Sequence, residues 1–175
     1  MALDATKVRV GVSGEVLVGL LAATAPATAA AATTGFVGLG YISEDGVEVT
    51  PERKTDDIKA WQNGKIVRTV VTEAKTMYKF TLIETTKASI EFAFGTTVTQ
   101  VVAEGTYTAD PSATGGRKSF IFDVIDGANI RREYLAEGEL TSLGAVKFAG
   151  GEAIAYECEI TGYVSPVIHD TALKT

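Results

Sequence analysis

The sequence predicts a mainly β chain folded as a sandwich or barrel-like domain, and three observations carry that prediction. Short segments alternate apolar and polar residues with the period of a half-buried strand. The cleanest sets Ile154, Tyr156, Cys158 and Ile160 against Glu157, Glu159 and Thr161. Asn63-Gly64 and Asp126-Gly127 stand between such segments, dipeptides that hairpin turns favour because their residues tolerate positive φ. At 175 residues and 46% apolar content, the chain can bury one packed core as a single domain, 1–175.

Taken in order, residues 7–12 alternate around Val8, Val10 and Val12, and residues 14–19 follow the Ser13-Gly14 turn signal as a second short strand. Residues 22–34 are rich in Ala and Thr; Pro26 and the threonines oppose a long helix, so a surface connector is expected. Residues 36–42 form a strand in which Gly38 and Gly40 permit a bulge or a close backbone approach.

Residues 43–57 then run SEDGVEVTPERKTDD. Asp45-Gly46 signals a turn and Pro51 bars central-strand pairing, so a long charged loop or arm is expected; loops of that length are functional or disordered. Residues 58–62 and 66–73 flank Asn63-Gly64 as the two strands of a type I′ hairpin, with Trp61 in the first. Residues 77–84 place Tyr78, Phe80 and Leu82 on one face. Residues 85–94 fit either period: Ile90, Phe92 and Phe94 as a strand, or a helix started by Thr85 or Thr86 and stopped by Gly95. Strands are expected again at 97–104, 118–125, 130–135, 139–148 and 153–164, with a loop at 109–116 and a frayed tail from 165.

No catalytic device emerges. His169 is the sole histidine and falls in that tail, and Cys158 is the sole cysteine, so neither a nucleophile–base pair nor a zinc site of the usual ligands can be built. Cys158 has no internal disulfide partner, which fits a reducing compartment, and its alternation makes it a buried small hydrophobe. Asp123 with Asp126, and Glu157 with Glu159, are candidate carboxylate pairs, but a turn role and a wet acidic face account for them more simply. The glycines of 35–40 fall in the wrong order for a dinucleotide fingerprint. A net charge of −6 opposes a protein that grips nucleic-acid phosphates. The uncharged run 16–32 has some features of a secretory leader, but Asp4 and Glu15 put acid into its basic flank and Gly19 and Pro26 interrupt it.

Four stretches carry a family resemblance: LGYISEDGV at 39–47, DIKAWQNGKIVRTV at 57–70, FTLIETTKASIEFAFG at 80–95 and GGEAIAYECEITGY at 150–163. In this order they resemble the major tail tube proteins of long-tailed, non-contractile bacteriophages, particularly those infecting actinobacteria. The resemblance implies a tail tube fold with one short α-helix, placed at 85–94, and a long loop that reaches between rings. It implies hexameric rings stacked into a tube, in which one sheet of each subunit joins a barrel around the channel that DNA leaves through, without specific binding. The arm 43–57 would then contact the adjacent ring, with Glu44, Asp45, Glu48, Arg53, Lys54, Asp56, Asp57 and Trp61 as inter-subunit residues. Residues 1–13 and 165–175 would be further contacts. Tape measure, distal tail and tail terminator proteins are the implied partners, with no cofactor, metal or membrane. The implied location is the virion tail, after synthesis in the host cytoplasm. Two rivals stand beside this reading: a secreted β-sandwich binding or adhesion module, and a β-barrel enzyme or small-ligand carrier.

Overall fold

The computed structural model of the chain describes residue 4 and residues 7–173. Ten antiparallel strands, one α-helix and a closing 3-10 turn, Thr171–Leu173, make up the described fold: β1 Ser13–Leu20, β2 Phe36–Gly38, β3 Ile42–Lys59, β4 Ile66–Leu82, α1 Lys87–Phe94, β5 Thr99–Gln100, β6 Gly105–Thr106, β7 Lys118–Asp126, β8 Asn129–Leu143, β9 Tyr156–Gly162 and β10 Val167–Asp170. The main sheet runs β2-β1-β7-β8-β9-β4-β3, so β2 and β3 are its two edges. β10 adds to the first half of β8, and β5 pairs with β6 alone.

The sheet curls because two glycines meet at its corner. Gly138 lies opposite both Lys118 and Gly162. A Cβ on Gly138 would come within 2.7 Å of Leu135 Cδ2, and one on Gly162 within 2.9 Å of Leu135 Cδ1. Leu135, fully buried, therefore fills the bend that the missing side chains open.

Inside the curl sits the main core: Val16, Tyr78, Phe80, Leu82, Phe120, Phe122, Leu135, Cys158 and Ile160, capped by Ile90, Phe92 and Ala93 of α1. Tyr78 stacks on Phe122 at 4.1 Å, and Phe92 meets Phe120 edge-on at 5.9 Å. The helix is locally specified. Thr86 Oγ1 accepts from Ser89 N at 3.2 Å, Ser89 Oγ accepts from Thr86 N at 2.8 Å, and Gly95 ends the helix at φ 58°.

A second cluster of Leu17, Ile121 and Tyr134 lies on the outer face, under the connector 22–34. There Tyr134 Oη donates to Ala23 O at 2.8 Å and Arg132 Nη1 to Ala31 O at 2.6 Å. Residues 16–20 of the uncharged run lie in β1, with Val16 and Leu17 buried, and the rest of it runs on through the connector.

Several expectations change. Residues 43–57 are strand, the greater part of β3, because an edge strand tolerates Pro51 and a bulge absorbs Asp45-Gly46, with Gly46 at φ 70°. Ser13-Gly14 opens β1 instead of turning, and residues 8–12 form no strand, since they run past the end of β7 and find no ladder. Segment 130–135 and the first half of 139–148 merge into β8, whose irregularity at Gly138 bends the strand instead of ending it, while 144–148 form no strand. The expected strand 153–164 shortens to Tyr156–Gly162, leaving Ile154 exposed before it. Only Thr99–Gln100 of 97–104 is strand. The tail is not frayed through 173: β10 pairs with β8, His169 opposite Arg132, because Arg131 and Arg9 both reach Asp170.

Candidate functional site

β3 and β4 form one hairpin longer than the body needs. They pair from Val47 opposite Phe80 out to Lys59 opposite Ile66, whereas β9 accompanies β4 only from Thr76 to Leu82. Beyond Pro51 the hairpin is therefore a two-stranded ribbon with no third strand. At about 3.3 Å per residue its eight further residues carry the tip about 26 Å outward. Residues 48–59 are all exposed, and of 66–75 only Val70 is partly covered.

Local chemistry explains why the ribbon pairs at all. β-branched residues are dense in both strands: Val49, Thr50, Thr55 and Ile58 face a return strand holding Ile66, Val67, Thr69, Val70, Val71 and Thr72. Four of the shaft's charges sit opposite counter-ions. Lys75 Nζ lies 3.2 Å from Glu52 Oε2 and Lys54 Nζ 3.5 Å from Glu73 Oε1. Thr69 Oγ1 donates to Asp57 Oδ1 at 2.7 Å. Exposed pairs of this kind are each worth about 0–1 kcal/mol, enough to fix register but not to replace a core.

At the tip, Asn63 and Gly64 both have positive φ, 59° and 63°, as the turn dipeptide requires. The closing bond, however, runs from Ala60 N to Lys65 O at 2.8 Å. Trp61 and Gln62 therefore belong to a wider turn and not to the strand, and Trp61 is 99% exposed. A large aromatic held fully in water at the end of a two-stranded ribbon has no core role and offers an apolar contact surface.

The sequence-predicted contact residues all fall on this one element. Glu44, Asp45 and Glu48 stand at its root, Arg53, Lys54, Asp56 and Asp57 along the outgoing strand, and Trp61 at the tip. The return strand was expected at 66–73, but its residues were missed as contact candidates: Ile66 (51% exposed), Val67 (60%) and Val71 (50%) present an apolar surface beside those charges. Asn63-Gly64 held the signal, because a hairpin centred there makes 66–75 the partner of the preceding charged segment.

Elsewhere the ionisable residues serve the fold. Asp123 and Arg132 form a buried two-pronged pair at 2.7 and 2.5 Å, which holds the guanidinium above its ordinary pKa. Asp126 binds Arg9 Nε at 3.0 Å and Val10 N at 3.2 Å, so it faces away from Asp123 chemistry altogether. Glu157 pairs with Lys79, whose ammonium this contact raises. Burial first, then Glu133, raises the Tyr78 phenol, which donates to Glu133 Oε2 at 3.3 Å. Among the described residues no three His, Cys, Asp or Glu side chains are grouped to hold a metal, and no helix is long and apolar enough to cross a membrane.

The family model described as phage tail tube protein matches residues 1–166. Among curated protein sequences none matches the chain. Solved structures resemble it over nearly its full length at low identity. The tail of an empty gene transfer agent particle, from helical refinement with C6 symmetry, is 9% identical, with 95% of this chain and 98% of that one covered and a TM-score of 0.49. A tube-complex chain of an extracellular contractile injection system, sheath and tube in the extended state, is 8% identical over 96% and 99%, with a TM-score of 0.48. A chain of the anti-feeding prophage baseplate is 10% identical over 96% and 97%, with a TM-score of 0.43.

Proposed function

Because the chain belongs to the phage tail tube protein family and is a structural protein of a virion tail, we propose that it polymerises as stacked hexameric rings into the tube of a long-tailed, non-contractile phage. The β3–β4 arm is the ring-to-ring contact in this reading, with Glu44, Asp45, Glu48, Arg53, Lys54, Asp56, Asp57 and Trp61 among its inter-subunit residues. The six-fold number is the one the sequence resemblance implies.

The observation that supports it most is the free ribbon. An isolated two-stranded hairpin is marginal in water, and this one exposes Ile58, Trp61, Ile66, Val67 and Val71. A second copy is the simplest source of cover for such a surface. The open sheet supports ring formation in the same way, since its edges β2 and β3 present unpaired backbone that a neighbouring subunit can complete. A head-to-tail contact that does not close on itself propagates as a filament.

DNA passes through the lumen without specific binding. The −6 charge of each subunit favours an acidic wall that repels phosphate within about 8 Å at physiological salt. Tape measure, distal tail and tail terminator proteins are the further partners that the family resemblance implies. Synthesis takes place in the host cytoplasm. Light scattering and electron microscopy of the purified protein at rising concentration test the reading. Hollow tubes of uniform diameter are expected, and a concentration-independent monomer would refute it.

A further inference from the structure

The arm carries opposite unpaired charges at its two ends. Residues 58–68 contain Lys59, Lys65 and Arg68 and no Asp or Glu, and none of the three cations is in an ion pair among the described residues. On the shaft, Glu52 pairs with Lys75 and Lys54 with Glu73, while Asp56 and Asp57 next to the tip have no ion pair among the described residues, so the three tip cations outnumber the two nearest acids. At the root, a cleft opens between 11–14 and 40–47, floored by Asp123 and Val124. Its charged lining is Glu44, Asp45 and Asp123, all acidic, and Asp123 is already matched by Arg132. Glu44 and Asp45 face water with no ion pair among the described residues.

Two further features make the cleft a receptor surface and not merely an acidic spot. Ser43, in its lining, keeps its Oγ buried without a hydrogen-bond partner, so the cleft wall carries an unsatisfied polar group that a rearrangement on docking would satisfy. Tyr41, 75% exposed, stands at the same rim, an aromatic beside glycines whose missing side chains keep the cleft open. Together these match what the tip offers: three cations, the amide side chains of Gln62 and Asn63, and the indole of Trp61.

We propose that the cationic tip of one copy, Ile58 to Arg68 with Trp61 at its centre, docks in the acidic cleft of a second copy in the next ring. This rests on the tube reading and adds the receptor for the arm. Root and tip of one hairpin then form the two halves of a single repeating contact. The geometry bounds the repeat: from Val47 to Ala60 the strand spans at most about 43 Å, so successive rings lie no farther apart than that along the arm.

Charge reversal tests it, with polymer fraction read by sedimentation and fold checked by circular dichroism. Lys65→Glu with Arg68→Glu, and separately Glu44→Lys with Asp45→Lys, should each lower the polymer fraction at least tenfold while the monomer melts as the wild type does. All four substitutions together should restore tubes. Trp61 is the only tryptophan, so its emission reports docking directly. It should be water-like in monomer and in both reversed pairs, and blue-shifted and shielded from acrylamide in wild-type tubes. Wild-type tubes whose Trp61 remains water-like, or cleft reversal that leaves polymerisation intact, would overturn the proposal but spare the tube reading. A wild-type protein that forms no tubes would overturn both.

Discussion

One strand shows what separates the body of this protein from its arm. β4 is continuous from Ile66 to Leu82, yet its last residues Tyr78, Phe80 and Leu82 are buried while its first half lies in water on both faces. The backbone bonding is the same at both ends; what differs is the company. At Tyr78 the strand has neighbours β3 and β9 and a helix above, whereas at Val71 it has only β3. The body therefore holds itself together, whereas the arm leaves its apolar residues in water, as the proposed ring-to-ring contact requires.

That contrast is most sharply tested where it predicts the greatest damage. Cys158 is fully buried on the core face of β9, so Cys158→Asp places an unpaired charge among Phe80, Leu82 and Ile160 at a cost of several kcal/mol, about the whole margin of a small domain. Loss of the cooperative thermal transition is expected; a soluble variant melting within a few degrees of wild type would mean the facing is wrong. Next comes Arg132→Met, which strands Asp123 in the outer cluster and should cost about 3–5 kcal/mol by denaturant titration. Adding Asp123→Leu should recover much of that loss, because the pair is then replaced and not broken.

Titration gives a smaller effect, again confined to the body. Burial first, and then Glu157, push the Cys158 thiol up from 9.0 to about 12. The folded state keeps that proton while the unfolded chain gives it up. Stability from this group is therefore complete below about pH 9 and falls, by up to about 1.4 kcal/mol per pH unit, as the pH rises towards about 12. Tyr78, raised mainly by burial, extends the decline above 10.0. Urea titrations at pH 8 and pH 10 measure the drop, and Cys158→Ala should flatten the first part of it. In the arm the smallest change is expected: Lys75→Ala removes an exposed cross-strand pair and should shift body stability by about 0–1 kcal/mol.

The same division explains what the sequence made legible. Cys158 could be placed because one face of β9 is buried and the other wet, which prints alternation into the residues. The α1 boundaries at Thr86 and Gly95 were also readable, since caps act within a single turn, although the choice of helix over strand came from the family resemblance. Residues 43–57 hid their strand for the opposite reason. With both faces in water no alternation is required, and Pro51 and Gly46 read as breakers although an edge and a bulge accommodate them. Asp123–Arg132 depends on the register across the β7–β8 hairpin, which neither residue announces. Trp61 was displaced into the turn because the closing bond formed between Ala60 and Lys65, two residues earlier on the outgoing strand than the Gln62–Lys65 closure the dipeptide suggested.

A truncation that removes arm and keeps body addresses the central claim. Deleting only 44–56 would strip β4 of its partner, so the cut must take both strands: residues 54–73 replaced by Asn-Gly, joining Arg53 to the Ala74 that already lies opposite it. Electron microscopy of this variant beside the wild type is the decisive measurement. The account predicts long tubes from the intact chain, and from the shortened one a folded subunit with an unchanged melting transition that stops at single rings or smaller species. Tubes of normal length and spacing from the shortened chain would contradict it.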